Sequence, residues 1–169
     1  MISKFFFIII LLVSSLPIFS IALADQNDPR LKLLFSNVKN AENEITSSIY
    51  LTSIWRIWSE INDVNSQDLY DRGNQLLKQR KYEQSLVVFS DLINKEPDFA
   101  EGWNKRATVF YLMGRLNESQ EDILRTLKLE PRHFGALSGL GLIRMELEDW
   151  LGAISALEAA IRVNPQMSG

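Results

Sequence analysis

The stretch Pro97–Pro131 reads PDFAEGWNKRATVFYLMGRLNESQEDILRTLKLEP, and it determines the fold because its pattern occurs three times. Prolines stand at Pro97, Pro131 and Pro165, so the pattern repeats every 34 residues. A fixed period of this length is typical of stacked helical hairpins. Alignment on the prolines divides the chain into three units, which are residues 66–99, 100–133 and 134–167.

Equivalent places in the three units share residue size. Places eight and twenty of each unit are small, and these residues are Gly73, Ala107, Gly141, Ser85, Ser119 and Ala153. Small residues at these places allow two antiparallel helices to approach closely. Proline after the second helix ends it, because proline cannot donate the next backbone hydrogen bond. Each unit is therefore predicted to be a helical hairpin.

This pattern resembles the tetratricopeptide repeat, and the matching residues are Trp103, Phe110, Tyr82, Phe89, Ala153 and Ala160. The resemblance covers 102 of 169 residues. It implies an all-α, right-handed α-solenoid whose first helices line a concave surface. Residues 100–108 and 130–143 are also similar to a small group of exported tetratricopeptide proteins from alphaproteobacteria, for which no biochemical activity is implied.

Residues 25–65 lack the repeat consensus but show helical periodicity. The first part has its apolar residues on one face, at Leu31, Leu34, Phe35 and Val38. We predict a degenerate helical hairpin that covers the open end of the first repeat. The alternative is that Trp55 and Trp58 anchor a partner, because tryptophan is common at binding hot spots.

Two helix caps are predicted from acidic residues. Asp98 follows Pro97, with Glu101 three residues later, which is the spacing of a capping box at the start of unit two. Asp149 is placed to cap the last helix.

Residues 1–24 have the three parts of a secretory signal, with Lys4 at the start, an apolar middle, and Ala22 and Ala24 at a small-x-small cleavage site. We expect an exported protein of the bacterial periplasm. The alternative is an uncleaved helix that anchors the protein in the inner membrane, facing the periplasm, since the apolar run is just long enough to span.

Composition excludes several classes of function. The chain has no cysteine and a single histidine, so disulfides, thiolate metal sites and histidine metal sites are not expected, and no cofactor is predicted. The net charge is −3 without a basic run, which disfavours nucleic-acid binding. We found no nucleophile elbow, phosphate loop or metal-binding histidine pair, and therefore expect no enzymatic activity.

Two arginines occupy place seven, where the tetratricopeptide family usually has leucine. Asp122 is predicted to face Arg106 in a structural ion pair, since a half-buried arginine needs a partner. The alternative is a small anion site or an enzyme that uses Arg72, Arg106 and His133, with Lys105 nearby. A structural hydrogen bond is the preferred interpretation of His133, because no partner for acid–base catalysis is visible.

The resemblance also implies a binding groove, because ligands of this family lie along places two, five, nine and twelve. The predicted groove residues are Tyr70, Asn74, Leu77, Asn104, Thr108, Tyr111, Ser138, Leu142 and Met145, with Gln67, Glu101 and Gly135 at place two. Asparagine can hydrogen-bond a peptide backbone, and tyrosine supplies contact area at low entropy cost. The carboxylate clamp of chaperone-tail binders is not expected, since only Asn74 agrees with it.

The last helix, residues 150–163, carries only two charges, Glu158 and Arg162. This helix is too apolar to leave one side in water, so we predict self-association or docking of a partner there, unless its small alanines make the patch tolerable. The sequence as a whole predicts a non-catalytic protein-interaction module, an adaptor, scaffold or assembly factor of the bacterial envelope that binds a peptide or a partner helix. A membrane-tethered scaffold is the alternative.

Overall fold

The computed structural model describes residues 26–166, and within that range it consists of α-helices without a strand. The all-α prediction is therefore confirmed. Successive helices pair into four antiparallel hairpins. Their bounds are α1 (Arg30–Lys39), α2 (Glu44–Trp58), α3 (Val64–Lys78), α4 (Tyr82–Lys95), α5 (Ala100–Leu112), α6 (Leu116–Leu129), α7 (Phe134–Glu146) and α8 (Trp150–Val163).

Small residues let the two helices of each repeat hairpin touch. A Cβ atom on Gly73 would lie 2.6 Å from the Phe89 ring, so only glycine fits at this crossing. The Ser85 hydroxyl donates to the Gly73 carbonyl at 2.9 Å, and the Ser119 hydroxyl donates to the Ala107 carbonyl at 2.8 Å. The predicted close approach at places eight and twenty thus includes a buried hydrogen bond in units one and two.

The repeat hairpins stack in chain order, with α4 against α5 and α6 against α7. The first helices also contact one another across units, α3 with α5 and α5 with α7, so they form the inner layer of a curved stack. Fully buried Val109 and Ile143 occupy place ten and pack towards the preceding unit. At the same place, unit one has the exposed Gln75. The front of the solenoid is therefore polar.

One predicted cap is confirmed and the other is wrong. Asp149 caps α8, accepting from the Gly152 N–H at 3.0 Å. Asp98 does not cap α5, because its side chain is 86% exposed and lies 3.4 Å from the guanidinium of Arg125 instead. Instead, the Ala100 N–H donates to Gln26 Oε1 at 3.3 Å, while Gln26 Nε2 donates to the Asp98 carbonyl at 2.6 Å. A residue far away in sequence satisfies this helix start.

The N-terminal hairpin exists as predicted, but its position differs from the prediction. It does not stack on the front of unit one. Its apolar side packs instead against Phe134 at the start of α7 and Val163 at the end of α8. The Ser47 hydroxyl donates to Asn164 Oδ1 at 3.0 Å and fixes this contact. The physical reason is that the front of α3 is polar and needs no cover, whereas the start of α7 is apolar.

The predicted signal segment, including Ala22 and Ala24, lies outside the described residues. Among residues 26–166, no helix combines the length and the apolar character needed to cross a membrane.

Candidate functional site

Half of the predicted groove is covered by the protein's own N-terminal hairpin. The Trp58 ring stacks on the His133 ring at a centroid distance of 4.3 Å and an interplanar angle of 8°. Trp55 lies against Gly135, where a Cβ atom would come within 2.8 Å of the indole. Trp58 Nε1 is buried and has no hydrogen-bond partner among the described residues. We call this region, at the start of α5 and α7, the covered half of the groove.

A buried polar network lies beneath the tryptophans. His133 Nδ1 accepts from the Ala136 N–H at 3.1 Å, so the ring proton lies on Nε2, which donates to Glu101 Oε2 at 2.9 Å. Lys105 Nζ lies 3.1 Å from the other carboxylate oxygen. Burial raises the pKa of Glu101, but the hydrogen bond from His133 and the charge of Lys105 together hold it below its usual value. Glu101 is therefore an ionised, fully paired structural group.

Two predicted groove residues are buried rather than open. Tyr70 and Asn104 are each 6% exposed. The Tyr70 hydroxyl donates to the Ser59 hydroxyl at the end of α2 at 3.1 Å, and Asn104 Nδ2 donates to Glu101 Oε2 at 2.9 Å. Burial and the Glu101 charge raise the pKa of Tyr70. This corrects the prediction, because the hairpin and the carboxylate network occupy the surface that a partner would need.

The remaining predicted residues form what we call the open half, towards the ends of α3, α5 and α7. Leu142 is 46% exposed, Thr108 is also exposed, and the others are half-buried. A cleft of about 150 Å³ opens here between α5 and α7, and no charged residue among the described residues lines it. We call it the α5–α7 cleft. The open half consists of Asn74, Leu77, Thr108, Tyr111, Ser138, Leu142 and Met145.

The predicted partners Arg106 and Asp122 lie together. Arg106 Nε and Nη2 donate to the two Asp122 oxygens at 2.7 and 2.8 Å. Burial raises the pKa of Asp122, and the guanidinium offsets part of that rise. Arg72 is exposed, in contrast to the half-buried position expected for it. His133 is enclosed by the covered half. The alternative anion site therefore has no common location, since its three residues have different surroundings.

The buried ion pair of Glu101 was not predicted from sequence, which placed this residue in a capping box and at place two of the groove. The available signal was the pair Trp55 and Trp58, one helical turn apart, which needed a buried surface on the repeats. Glycine at Gly135 was a second signal, because it leaves space for a large ring. No cluster of carboxylate or imidazole groups suited to a metal ion occurs within residues 26–166.

The outer face of α8 is the second exposed apolar surface. Leu151 is 83% exposed, and Trp150, Ile154 and Ile161 are each about half exposed or more. Ile161 is 48% exposed, whereas Ile93 at the equivalent place of unit one is 3% exposed, because α5 covers it. Glu158 and Arg162 are 3.8 Å apart at the edge of this face.

No protein-family model matches the chain. A TPR repeat-containing protein of Rhizobium etli is 33% identical over 114 residues, which is 68% of this chain and 56% of that relative. The chain thus spans about half the length of that relative. The Sgt2 TPR domain from Aspergillus fumigatus superposes with a TM-score of 0.60 at 22% identity, over 63% of this chain and 71% of the domain. The first TPR domain of Spaghetti, solved with an HSP90 peptide, superposes with a TM-score of 0.59 at 20% identity, over 60% of this chain and 81% of that domain.

Proposed function

We propose that this chain, which belongs to the tetratricopeptide-repeat family, is a non-catalytic module that binds a peptide or partner protein through the open half of its groove. It acts as an adaptor, scaffold or assembly factor. A structural neighbour holds a peptide, which supports a ligand of this kind.

One observation carries the proposal: the open half is accessible and lined by uncharged side chains, while the groups that could perform chemistry are engaged elsewhere. His133 uses both ring nitrogens within the fold, and Arg106 is held by Asp122. Tyr111 and Leu142 face the α5–α7 cleft and provide apolar contact area. Such a surface suits recognition of a polypeptide segment.

Site-specific photo-crosslinking in the native host tests the proposal. A benzophenone amino acid in place of Tyr111 reports on the open half, and the same probe in place of Leu124, exposed on α6, is the matched control. We expect a discrete adduct with another protein from Tyr111 and none from Leu124. Adducts from Leu124 alone would contradict the assignment of the groove as the working surface.

The cellular location is proposed from residues 1–24, whose pattern is typical of a secretory signal. We place the protein in the periplasm, with an uncleaved inner-membrane anchor as the alternative. The intact mass of the protein isolated from its host separates the two. Loss of residues 1–24 supports the periplasmic form, and retention supports the anchor.

We also propose that α8 mediates self-association. On its outer apolar face, Ile161 occupies the register at which α4 receives the next helix, because Ile93 at the equivalent place of unit one is covered by α5. Head-to-tail stacking is disfavoured, since Asp68 and Gln75 make the front of α3 polar and exposed. An isologous contact between two α8 helices avoids that polar surface and buries the apolar faces on both copies. The exposed side chains of Trp150, Leu151, Ile154 and Ile161 supply the apolar area for such a contact.

A further inference from the structure

The α5–α7 cleft has the size of one large side chain. Its volume is about 150 Å³, which equals that of an engineered apolar cavity able to hold benzene. The walls near its opening come from Thr108 and Tyr111 of α5 and Leu142 of α7. A leucine or phenylalanine side chain would fill this space, whereas a charged side chain would find no countercharge.

Gly139 keeps the cleft open without serving helix packing. A Cβ atom on Gly139 would meet only Ile123, at an ordinary contact distance of 3.4 Å. By contrast, a Cβ atom on Gly141 would lie 2.7 Å from Leu157, so close packing requires that glycine. Glycine inside a helix is destabilising relative to alanine. Packing therefore does not explain Gly139, but an occupied cleft does.

The cleft also continues an interface that the protein already uses. Gly135, one turn before Gly139, receives the Trp55 ring in the covered half and lines the cleft on its other side. The glycine-lined surface of α7 thus already holds one large apolar side chain, Trp55 of α2. The α5–α7 cleft next to Trp55 is open.

Opposite charges stand at the two ends of the open half. Place thirteen of the units is Lys78 at the end of α3, Leu112 in the centre and Glu146 at the end of α7. Lys78 and Glu146 are exposed, and neither forms an ion pair within the described residues. Glu146 shares a hollow with Tyr111 and therefore borders the groove. A carboxylate at a helix C-terminus is unfavourable for the helix dipole, so helix stability does not explain Glu146.

We propose, on the basis of the proposed function, that the open half binds an extended segment of about seven residues, because neighbouring helix axes are ~10 Å apart and an extended chain rises ~3.3 Å per residue. One large apolar side chain enters the α5–α7 cleft. Acidic residues of the segment lie near Lys78, and basic residues lie near Glu146. The occupant is thus a dipolar linear segment of a partner protein.

Fluorescence anisotropy with synthetic peptides tests this inference on the full chain. The probe is a labelled nine-residue peptide with two acidic residues at one end, a central leucine and two basic residues at the other end, made in both chain directions. A version with serine in the centre is the control. We expect one direction to bind about tenfold more tightly than its serine version, because burial of a leucine side chain contributes that much.

Protein variants locate the binding. Gly139→Leu fills the cleft and should weaken binding of the leucine peptide about tenfold, whereas Gly139→Ala adds a single methyl group and should weaken it less. Glu146→Lys should weaken it about threefold, and a peptide with acidic residues at both ends should recover the loss. The matched control is Lys128→Glu, on the exposed side of α6, which should change little.

The inference is overturned if neither peptide direction binds, if leucine and serine peptides bind equally, or if Gly139→Leu has no effect. Photo-crosslinking from Tyr111 distinguishes this failure from failure of the proposed function. An adduct from Tyr111 together with a negative peptide result leaves the interaction module standing and removes only the dipolar segment.

Discussion

At the scale of single residues, Arg106 and Asp122 form a pair that unit three does without. The equivalent places of unit three are Leu140 and Ala156, both buried in the core. The same hairpin geometry is thus reached with an ion pair in one unit and with apolar packing in another. A buried ion pair adds little net stability over apolar packing, although loss of one partner leaves an uncompensated charge.

Replacement of Arg106 by alanine should therefore destabilise the fold strongly, whereas removal of both charges should have little effect on stability. We expect Arg106→Ala to lower the free energy of unfolding by about 3 kcal/mol. The double variant Arg106→Leu with Asp122→Ala, which copies unit three, should stay within about 1 kcal/mol of the wild type. Urea unfolding measures all three. The exposed Arg72→Leu is the control, with a change of no more than about 0.5 kcal/mol. A double variant as unstable as the single one would refute this account.

Glu101 predicts a pH-dependent contribution to stability. Its pKa is lowered in the folded state relative to its usual 4.5, so the ionised group stabilises the fold fully above that pH. The contribution is lost as pH falls through the lowered pKa. Glu101→Gln should destabilise the protein by about 1–3 kcal/mol at pH 7, and the difference should narrow as pH falls below 4.5. Urea unfolding across pH tests this, with exposed Glu42→Gln as the control. A difference independent of pH would be inconsistent with an ionised Glu101.

At the scale of elements, the sequence predicted the four hairpins but not the surface against which the N-terminal hairpin packs. Each repeat helix follows from local spacing and from its proline, and these signals act within one unit. The position of α1 and α2 depends on contacts between residues far apart in the chain, such as Trp58 with His133. No local pattern encodes such a contact. The polar residues Asp68 and Gln75 on the front of α3 were a readable signal that no cap was required there.

A substitution at Gly135 tests whether the position of the N-terminal hairpin depends on its contact with α7. Gly135→Val places side-chain atoms inside the Trp55 ring position and should displace the N-terminal hairpin, at a cost of about 1–3 kcal/mol. Hydrogen exchange measured by mass spectrometry should then increase in α1 and α2 while α3 to α6 remain protected. Gly139→Ala, four residues later on the same helix, is the control. Unchanged protection of α1 and α2 would mean that the hairpin does not depend on this contact.

At the scale of the whole molecule, the described chain has a concave face that is partly closed from within. The resemblance to the tetratricopeptide repeat and the repeat register made the groove predictable from sequence. The division of the groove into a covered and an open half could not be predicted. As a result, Tyr70 and Asn104 were assigned to an open surface on which they do not lie. The molecule retains two accessible surfaces, the open half and the outer face of α8.

The α8 surface predicts a concentration-dependent dimer. Sedimentation velocity between micromolar and ~100 µM protein should show a shift from monomer to dimer. Ile154→Gln, which copies Gln120 at the equivalent place of α6, should weaken the dimer at least about tenfold. Leu124→Gln, on an exposed part of α6, should not. A monomer at all concentrations would remove α8 as a self-association surface.

The central claim, that the N-terminal hairpin closes half of the groove, depends on Trp58 stacking on His133. His133 is the single histidine of the chain, so its ring protons are identifiable in a proton NMR spectrum. We expect strong upfield ring-current shifts of these protons and nuclear Overhauser effects to the Trp58 indole. Trp58→Phe should reduce the shifts, and Trp103→Phe should preserve them. Unshifted histidine protons without contacts to an indole would contradict the claim.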